Sequence, residues 1–248
     1  MLKPTIERLL IAGCPALLLA GMAPAAAQEA LELDTLVVTA GLQPLTVGEV
    51  ASSVTIITRE EIEQAFSEFQ FVVRYQPKVE RGDGSEWQTR EAEALIRWLH
   101  SDKGLLAPVE FLPEVEAYDM MPRLTEFVLR KTAVQIVKWR EQGLGFDVCV
   151  NLASSELGRT GLASAYAGIV REHGAECSNF TFEVVEQDLI DPDAAHLDTI
   201  KRLRNQGFRI CLDNFRVAAR SLSTLERLPF DEVKIHASAL QRAQDDEV

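Results

Sequence analysis

The chain has 248 residues, room for one large domain or two small ones, and its 47% apolar content is enough to bury a sizeable core. Thirty-eight acidic side chains against 25 basic ones give a formal charge of −13, which argues against nonspecific nucleic-acid binding through a basic surface. An anionic nucleotide stays compatible with that charge, because a metal ion or local Arg and Lys can reverse the field inside a pocket.

The first 27 residues carry Lys3 and Arg8, then the apolar stretch LLIAGCPALLLAGMA, then Ala25, Ala26 and Ala27. This pattern reads as a secretory signal peptide with cleavage after Ala27. Ile11-Ala12-Gly13-Cys14 offers a lipoprotein cleavage box as the alternative. The apolar run is too short, and too interrupted by Gly and Pro, for a transmembrane helix. Further on, VTIIT (54–58) is a β-branched strand pattern. Thr58 is placed to cap the helix that follows, and Glu61 three residues later completes a capping box.

From residue 69 onward, short apolar runs alternate with helix-length amphipathic stretches, and acidic or amide residues sit at the run ends. Glu93 opens EALIRW, Asn151 follows FDVCV, Glu183 and Glu186 lie in FTFEVVEQ, Asp213 closes FRICLD, and Lys234 ends DEVK. The alternation predicts repeated βα units around a parallel sheet. In a parallel barrel, polar residues at the C-terminal strand ends converge on one face, where such folds keep their chemistry. Three carboxylates and an amide are hard oxygen ligands. With a nearby lysine they point to a Mg²⁺ or Mn²⁺ site acting on a phosphate ester. Cys14, Cys149, Cys177 and Cys211 show no CxxC spacing, so the reading is buried free thiols with neither zinc nor a disulfide framework.

Two family resemblances follow from these residues. From about Phe69 to Val248 the chain resembles an EAL domain, a family that hydrolyses the bacterial second messenger cyclic di-GMP. The matching segments are YQPKV (75–79), EALIRW (93–98), LAPVEFLPEVE (106–116), VNLASSEL (150–157), FEVVEQ (182–187), LDNF (212–215) and SLSTLERLPFDEVKI (221–235). Before it, LDTLVVTAG (33–41) resembles a TonB box, and VASSVTIITREEIEQ (50–64) resembles the start of the plug of a TonB-dependent outer-membrane receptor. The domain organisation expected is therefore a signal peptide at 1–27, a TonB box and partial plug-like segment at 28–64, and an EAL domain at 65–248. Barrel strands of the outer-membrane kind are not found.

The EAL resemblance implies an α/β fold, a (β/α)8 TIM-type barrel, here incomplete because the family's last two strands are expected to be missing. It implies metal binding by Glu93, Asn151, Glu183 and Asp213, with Glu93 and Lys234 catalytic and Lys234 contacting the attacking water. Gln76 and Arg97 match positions that hold the phosphate and guanine side of the substrate, a role suited to the planar guanidinium of Arg97.

The sequence also departs from the family. Asn214 replaces the second metal-binding Asp, which removes one negative charge from a second hard-cation site. A Gly-rich loop becomes Phe215-Arg216-Val217-Ala218-Ala219-Arg220, Val185 replaces a Thr, and His236 replaces an Asp. These changes lead us to expect a cyclic di-GMP phosphodiesterase-like protein, hydrolysing to linear pGpG, whose activity is impaired or lost. The alternatives are a non-catalytic nucleotide-binding or protein-interaction domain, or a TonB-interacting fragment engaging TonB through residues 33–39. An exposed barrel edge predicts a homodimer or other self-association. Use of the signal peptide predicts a periplasmic location, whereas the family norm is cytoplasmic.

Overall fold

A computed structural model describes residues 8–11, 57–81, 87–185, 189, 194–215 and 229–236. Two compact units divide the chain: residues 1–13 with 58–248, and residues 14–57, of which only Ile57 is described. The first unit begins with strand β1 (Arg8–Ile11) and resumes with helix α1 (Arg59–Ser67). The expected capping box is present at α1. The Glu61 amide donates to Thr58 Oγ1 at 3.2 Å, and the Thr58 amide donates to the Glu61 carboxylate at 2.7 Å. Ile62 and Ala65, three residues apart, are the buried face of α1.

Strands β2 (Phe71–Arg81), β3 (Trp87–His100) and β4 (Gly104–Leu106) come next, followed by α2 (Leu112–Ala117) and α3 (Met121–Glu141). The remaining elements are β5 (Asp147–Asn151), α4 (Ser154–Leu157), α5 (Leu162–Glu172), β6 (Phe180–Val185), α6 (Ala194–Asn205), β7 (Arg209–Phe215) and β8 (Glu232–Ile235). In α3, the buried residues Leu124, Thr125, Val128, Leu129, Thr132, Ala133 and Ile136 recur at helical spacing. Lys138 and Arg140 in its last turn complement the helix dipole. Gly143 then takes φ +77°, and its amide caps the Arg140 carbonyl at 3.0 Å.

The described strands form one sheet in the order β1–β8–β7–β6–β5–β3–β2, with β4 on the side of β3. From β3 through β5, β6 and β7 to β8 every pairing is parallel, as the βα alternation predicts. The sheet as a whole is mixed, because β2 and β4 both pair antiparallel with β3. The link between β2 and β3 is residues 82–86, far too short for a parallel crossover, so the two strands have to form a hairpin. The outer side of β8 is paired in parallel with β1, Arg8 opposite Glu232 through Ile11 opposite Ile235. This corrects the expectation of an open edge there. It also means that residues 8–11 of the leader-like stretch form a strand. The other residues of 1–27, the TonB-box segment 33–41 and the strand pattern before Ile57 lie outside the described residues.

Strand alternation sorts side chains onto two faces. Outward go Val148, Val150, Phe180, Phe182, Val184, Ile210, Leu212 and Val233, all buried, with α3, α5 and α6 closing over this side. Inward go the polar residues, because the register sets Glu93 beside Cys149, Asn151 beside Glu183, Glu183 beside Cys211, and Val185 beside Asp213. On the hairpin, Gln76 pairs with Glu93 and Lys78 with Glu91.

A separate aromatic cluster anchors the hairpin base. Trp98 is fully buried, with its ring 5.2 Å from Phe71 and 5.6 Å from Phe111, the latter edge-to-face, and its indole N–H donates to Gln70 at 2.8 Å. Trp98→Ala should therefore cost about 3–5 kcal/mol in a denaturant melt, whereas Trp87→Ala, on an exposed strand position, should shift the midpoint little.

Candidate active site

Four of the sequence-predicted residues meet at the inner face of the sheet. The Asn151 amide donates to Glu93 Oε1 at 3.1 Å. The Lys234 ammonium lies 3.4 Å from Glu93 Oε2 and also donates to Glu183 Oε2, bridging two carboxylates carried by β3 and β6. Each side chain gets there by strand register. A one-residue slip in any of these strands would turn it outward.

Asp213 sits half-buried at the end of β7, opposite Val185. Among the described residues no three His, Cys, Asp or Glu side chains converge closely enough to hold a metal ion. Glu93 and Glu183 are instead neutralised by Lys234. Gln76 is exposed beside Glu93 in register. Arg97 is half-buried four residues beyond Glu93 on β3, and its guanidinium donates to the Ile96 carbonyl at 2.7 Å. The structure thus joins Glu93, Asn151, Glu183 and Lys234 directly and leaves Asp213, Gln76 and Arg97 at the margin.

Of the departures from the family pattern, Asn214 adopts φ +64°, and the β7–β8 register shifts between Leu212 and Phe215 around it. Asn and Asp enter this left-handed region more readily than other non-glycine residues. His236 is half-buried, with its amide donating to the Phe215 carbonyl at 2.9 Å. Glu186 and residues 216–220 lie outside the described residues.

Beneath this cluster lies a second layer of charge that the sequence reading did not single out. The Lys78 ammonium is 2.7 Å from Glu183 Oε1, 3.4 Å from Glu91 Oε2 and 2.6 Å from the Cys149 sulfur. Arg209 donates to Glu91 Oε1 at 3.1 Å, ion-pairs with Glu232, and stands 3.8 Å from Asp147. The available signal was charge at i, i+2 within apolar strand runs: Glu91 with Glu93, and Glu232 with Lys234. Residues two apart on a strand share a face.

Burial alone would raise the Glu183 carboxyl, but the ammonium groups of Lys78 and Lys234 outweigh it and hold Glu183 below the usual carboxylate range. Burial opposes the charge on Lys234 too, and Glu183 and Glu93 overcome it, so its affinity for a proton rises. The Cys149 thiol is pushed well up by burial and by Glu183, which keeps it neutral and unreactive.

The turn after Asn151 is fixed by a different buried acid. Glu156 accepts from Thr125 Oγ1 at 2.9 Å, from the Ala153 amide at 3.3 Å and from the Tyr166 hydroxyl. Burial pushes its carboxyl up, against the lowering effect of those donors. The Leu152 amide, one residue past Asn151, donates to the Glu183 carbonyl at 2.9 Å and ties the two strand ends together.

With the fold and this geometry in place, comparison with known proteins defines the class as a barrel-type α/β domain. A family model described as the EAL domain matches residues 59–248, and the chain belongs to that family. The cyclic di-GMP phosphodiesterase PdeR of Escherichia coli is 30% identical over 175 residues, which is 70% of this chain and 26% of PdeR. The bifunctional diguanylate cyclase/cyclic di-GMP phosphodiesterase MucR of Pseudomonas aeruginosa is 32% identical over 176 residues, 71% of this chain and 25% of MucR. The chain therefore spans about a quarter of the length of these relatives. A solved structure of the PaMucR phosphodiesterase in a c-di-GMP complex superposes with TM-score 0.67 at 30% identity, covering 76% of this chain and 75% of that one. The family match starts at residue 59, so it includes α1. No described helix is long and apolar enough to cross a membrane.

The two buried acids should act oppositely on stability as pH changes. Glu183, depressed in the fold, contributes stability above its unfolded value of 4.5, and that stability is lost as pH falls through its lower folded value. Glu156, raised in the fold, loses stability as pH rises from 4.5 through its higher folded value. In denaturant midpoints measured across pH 3–8, Glu183→Gln should cost about 3–5 kcal/mol at pH 7 by leaving two ammonium groups short of a partner, and should flatten the acid limb. Glu156→Gln should remove the decline on the rising side while keeping the fold.

Proposed function

We propose that this chain is a metal-dependent phosphodiesterase that opens cyclic di-GMP to linear pGpG, at a rate reduced by the amide at Asn214. The observation that carries the reading is the Lys234 ammonium held between Glu93 and Glu183, with Asn151 beside them. A cation already occupies the junction of two strand-end carboxylates and an amide. The donor chemistry there is all hard oxygen, which suits Mg²⁺ or Mn²⁺.

Glu93, Asn151, Glu183 and Asp213 would hold the ion. When bound, it would polarise a phosphate oxygen and acidify a water ligand. Lys234 carries three donors and reaches both carboxylates, so with an ion bound it would be placed to orient the attacking water. Arg97 and Gln76, carried by β3 and β2, would contact the substrate, with the guanidinium suited to a phosphodiester oxygen. Water attacks phosphorus, one P–O3′ bond breaks, and the proton released by water ends on the departing 3′ oxygen. The product keeps a 5′ phosphate on one end and a free 3′ hydroxyl on the other.

Asn214 stands where a second hard ligand would come from, and a neutral amide binds a second cation more weakly than a carboxylate. Slow turnover follows from that single substitution, because paired ions stabilise attacking and leaving oxygens together.

The test is chromatographic detection of pGpG from cyclic di-GMP with Mn²⁺ or Mg²⁺ and the full chain. Glu93→Ala should lower turnover by more than the ~10–100-fold that loss of an outer partner already costs, and Asn214→Asp should raise it. Turnover untouched by Glu93→Ala would remove the proposed site. Nucleotide binding without turnover in both the wild type and Asn214→Asp would favour a binding domain instead.

A further inference from the structure

Glu183 is the most enclosed acid of the site, and its two oxygens are held by different lysines. Its side chain is 0% exposed, with Oε1 taken by Lys78 and Oε2 by Lys234. The two ammonium groups differ in what else they touch. Lys234 also reaches Glu93, whose side chain is 25% exposed and lies toward the strand ends. Lys78, 15% exposed, reaches down to Glu91, which is itself held by Arg209 and by Thr181. Lys78 is therefore braced from below by a layer of buried ion pairs, while Lys234, itself only 6% exposed, has besides the shared Glu183 only the more exposed Glu93 as an ion-pair partner. Any cation entering from the strand ends meets Oε2 and Lys234 first.

We propose that Lys78 is a positioning residue: it clamps Glu183 through Oε1 and so presents Oε2 to a divalent cation, while Lys234 is the ammonium that gives way. The assignment rests on the metal reading made above. A carboxylate with one oxygen anchored loses little rotamer freedom when the other takes a ligand, and such outer partners typically set metal affinity by orienting the ligand. Lys78 comes from β2, which supplies no acid to the site, so its effect is separable from the loss of a ligand.

The sign of the effect separates this role from simple charge. If Lys78 only repelled cations, Lys78→Met would tighten metal binding. If it orients Glu183, the same variant should weaken Mn²⁺ binding by about ten- to hundredfold, read from the free Mn²⁺ signal in electron paramagnetic resonance titrations of the full chain. Equal or tighter binding by Lys78→Met overturns the proposal. Should that variant not fold, the wild-type chain carries the test through lysine ammonium 15N resonances during Mg²⁺ titration. The Lys234 signal should move and the Lys78 signal should hold. Movement of Lys78 with Lys234 held, or of both alike, overturns the assignment. A wild-type chain that binds neither Mn²⁺ nor Mg²⁺ sinks the metal reading itself, and this assignment falls with it.

Discussion

Charge buried inside a sheet must be matched by charge, and that requirement organises the interior of this domain. From mouth to floor the partners alternate: Glu93, Lys234, Glu183, Lys78, Glu91, Arg209, Glu232. An isolated ion in such surroundings costs several kcal/mol, and only paired, hydrogen-bonded geometry offsets it. The ladder consequently does little for net stability compared with an apolar core of the same shape. Its effect is on arrangement: each charge meets particular partners carried by other strands, which penalises any slip of strand register. The apolar outward face, with Phe180, Phe182 and Ile210 under the helices, supplies the burial that stabilises the sheet against that cost.

The same ladder sets how the strand-end carboxylates are held. Glu93 and Glu183 would repel each other across the inner face if nothing lay between them. Lys234 relieves that repulsion, and in doing so leaves the carboxylates pointing at a shared locus. The proposed phosphodiester hydrolysis would draw on preorganisation of this kind, because in such chemistry the protein contributes positioning and charge more than covalent steps. The neutral thiols of Cys149 and Cys211 fit the picture as small, inert fillers between charged layers.

The turn carrying Asn151 and the end of β7 show how the strand ends are held to their tasks. Glu156 gathers three donors beneath the first, and the Leu152 amide joins it to β6. At the second, the left-handed backbone of Asn214 shifts the β7–β8 register just where Asp213 stands. Asn214 thus has a conformational reason to be Asn or Asp, independent of any role as a ligand. Charge at this position is one of the parts of the resembled pattern that this chain lacks.

Much of this was legible in the sequence. Apolar runs alternating with amphipathic stretches gave the parallel strands β3 and β5–β8, and Thr58 with Glu61 gave the cap of α1, because period and capping are local properties of a chain. Glu93, Asn151, Glu183 and Lys234, which the structure brings together, stood out as polar groups ending apolar runs. The hairpin of β2 with β3 and the pairing of β1 with β8 were not foreseen. Lys78, Arg209 and Glu232 were overlooked as well, since a charged residue within a strand reads as solvent-facing until its partner strands are known. Local sequence determined which residues share a face of each strand. Only the tertiary structure decided which charges meet across strands, because that depends on register between segments such as those of Glu93 and Lys234, 141 residues apart, where no local period carries information.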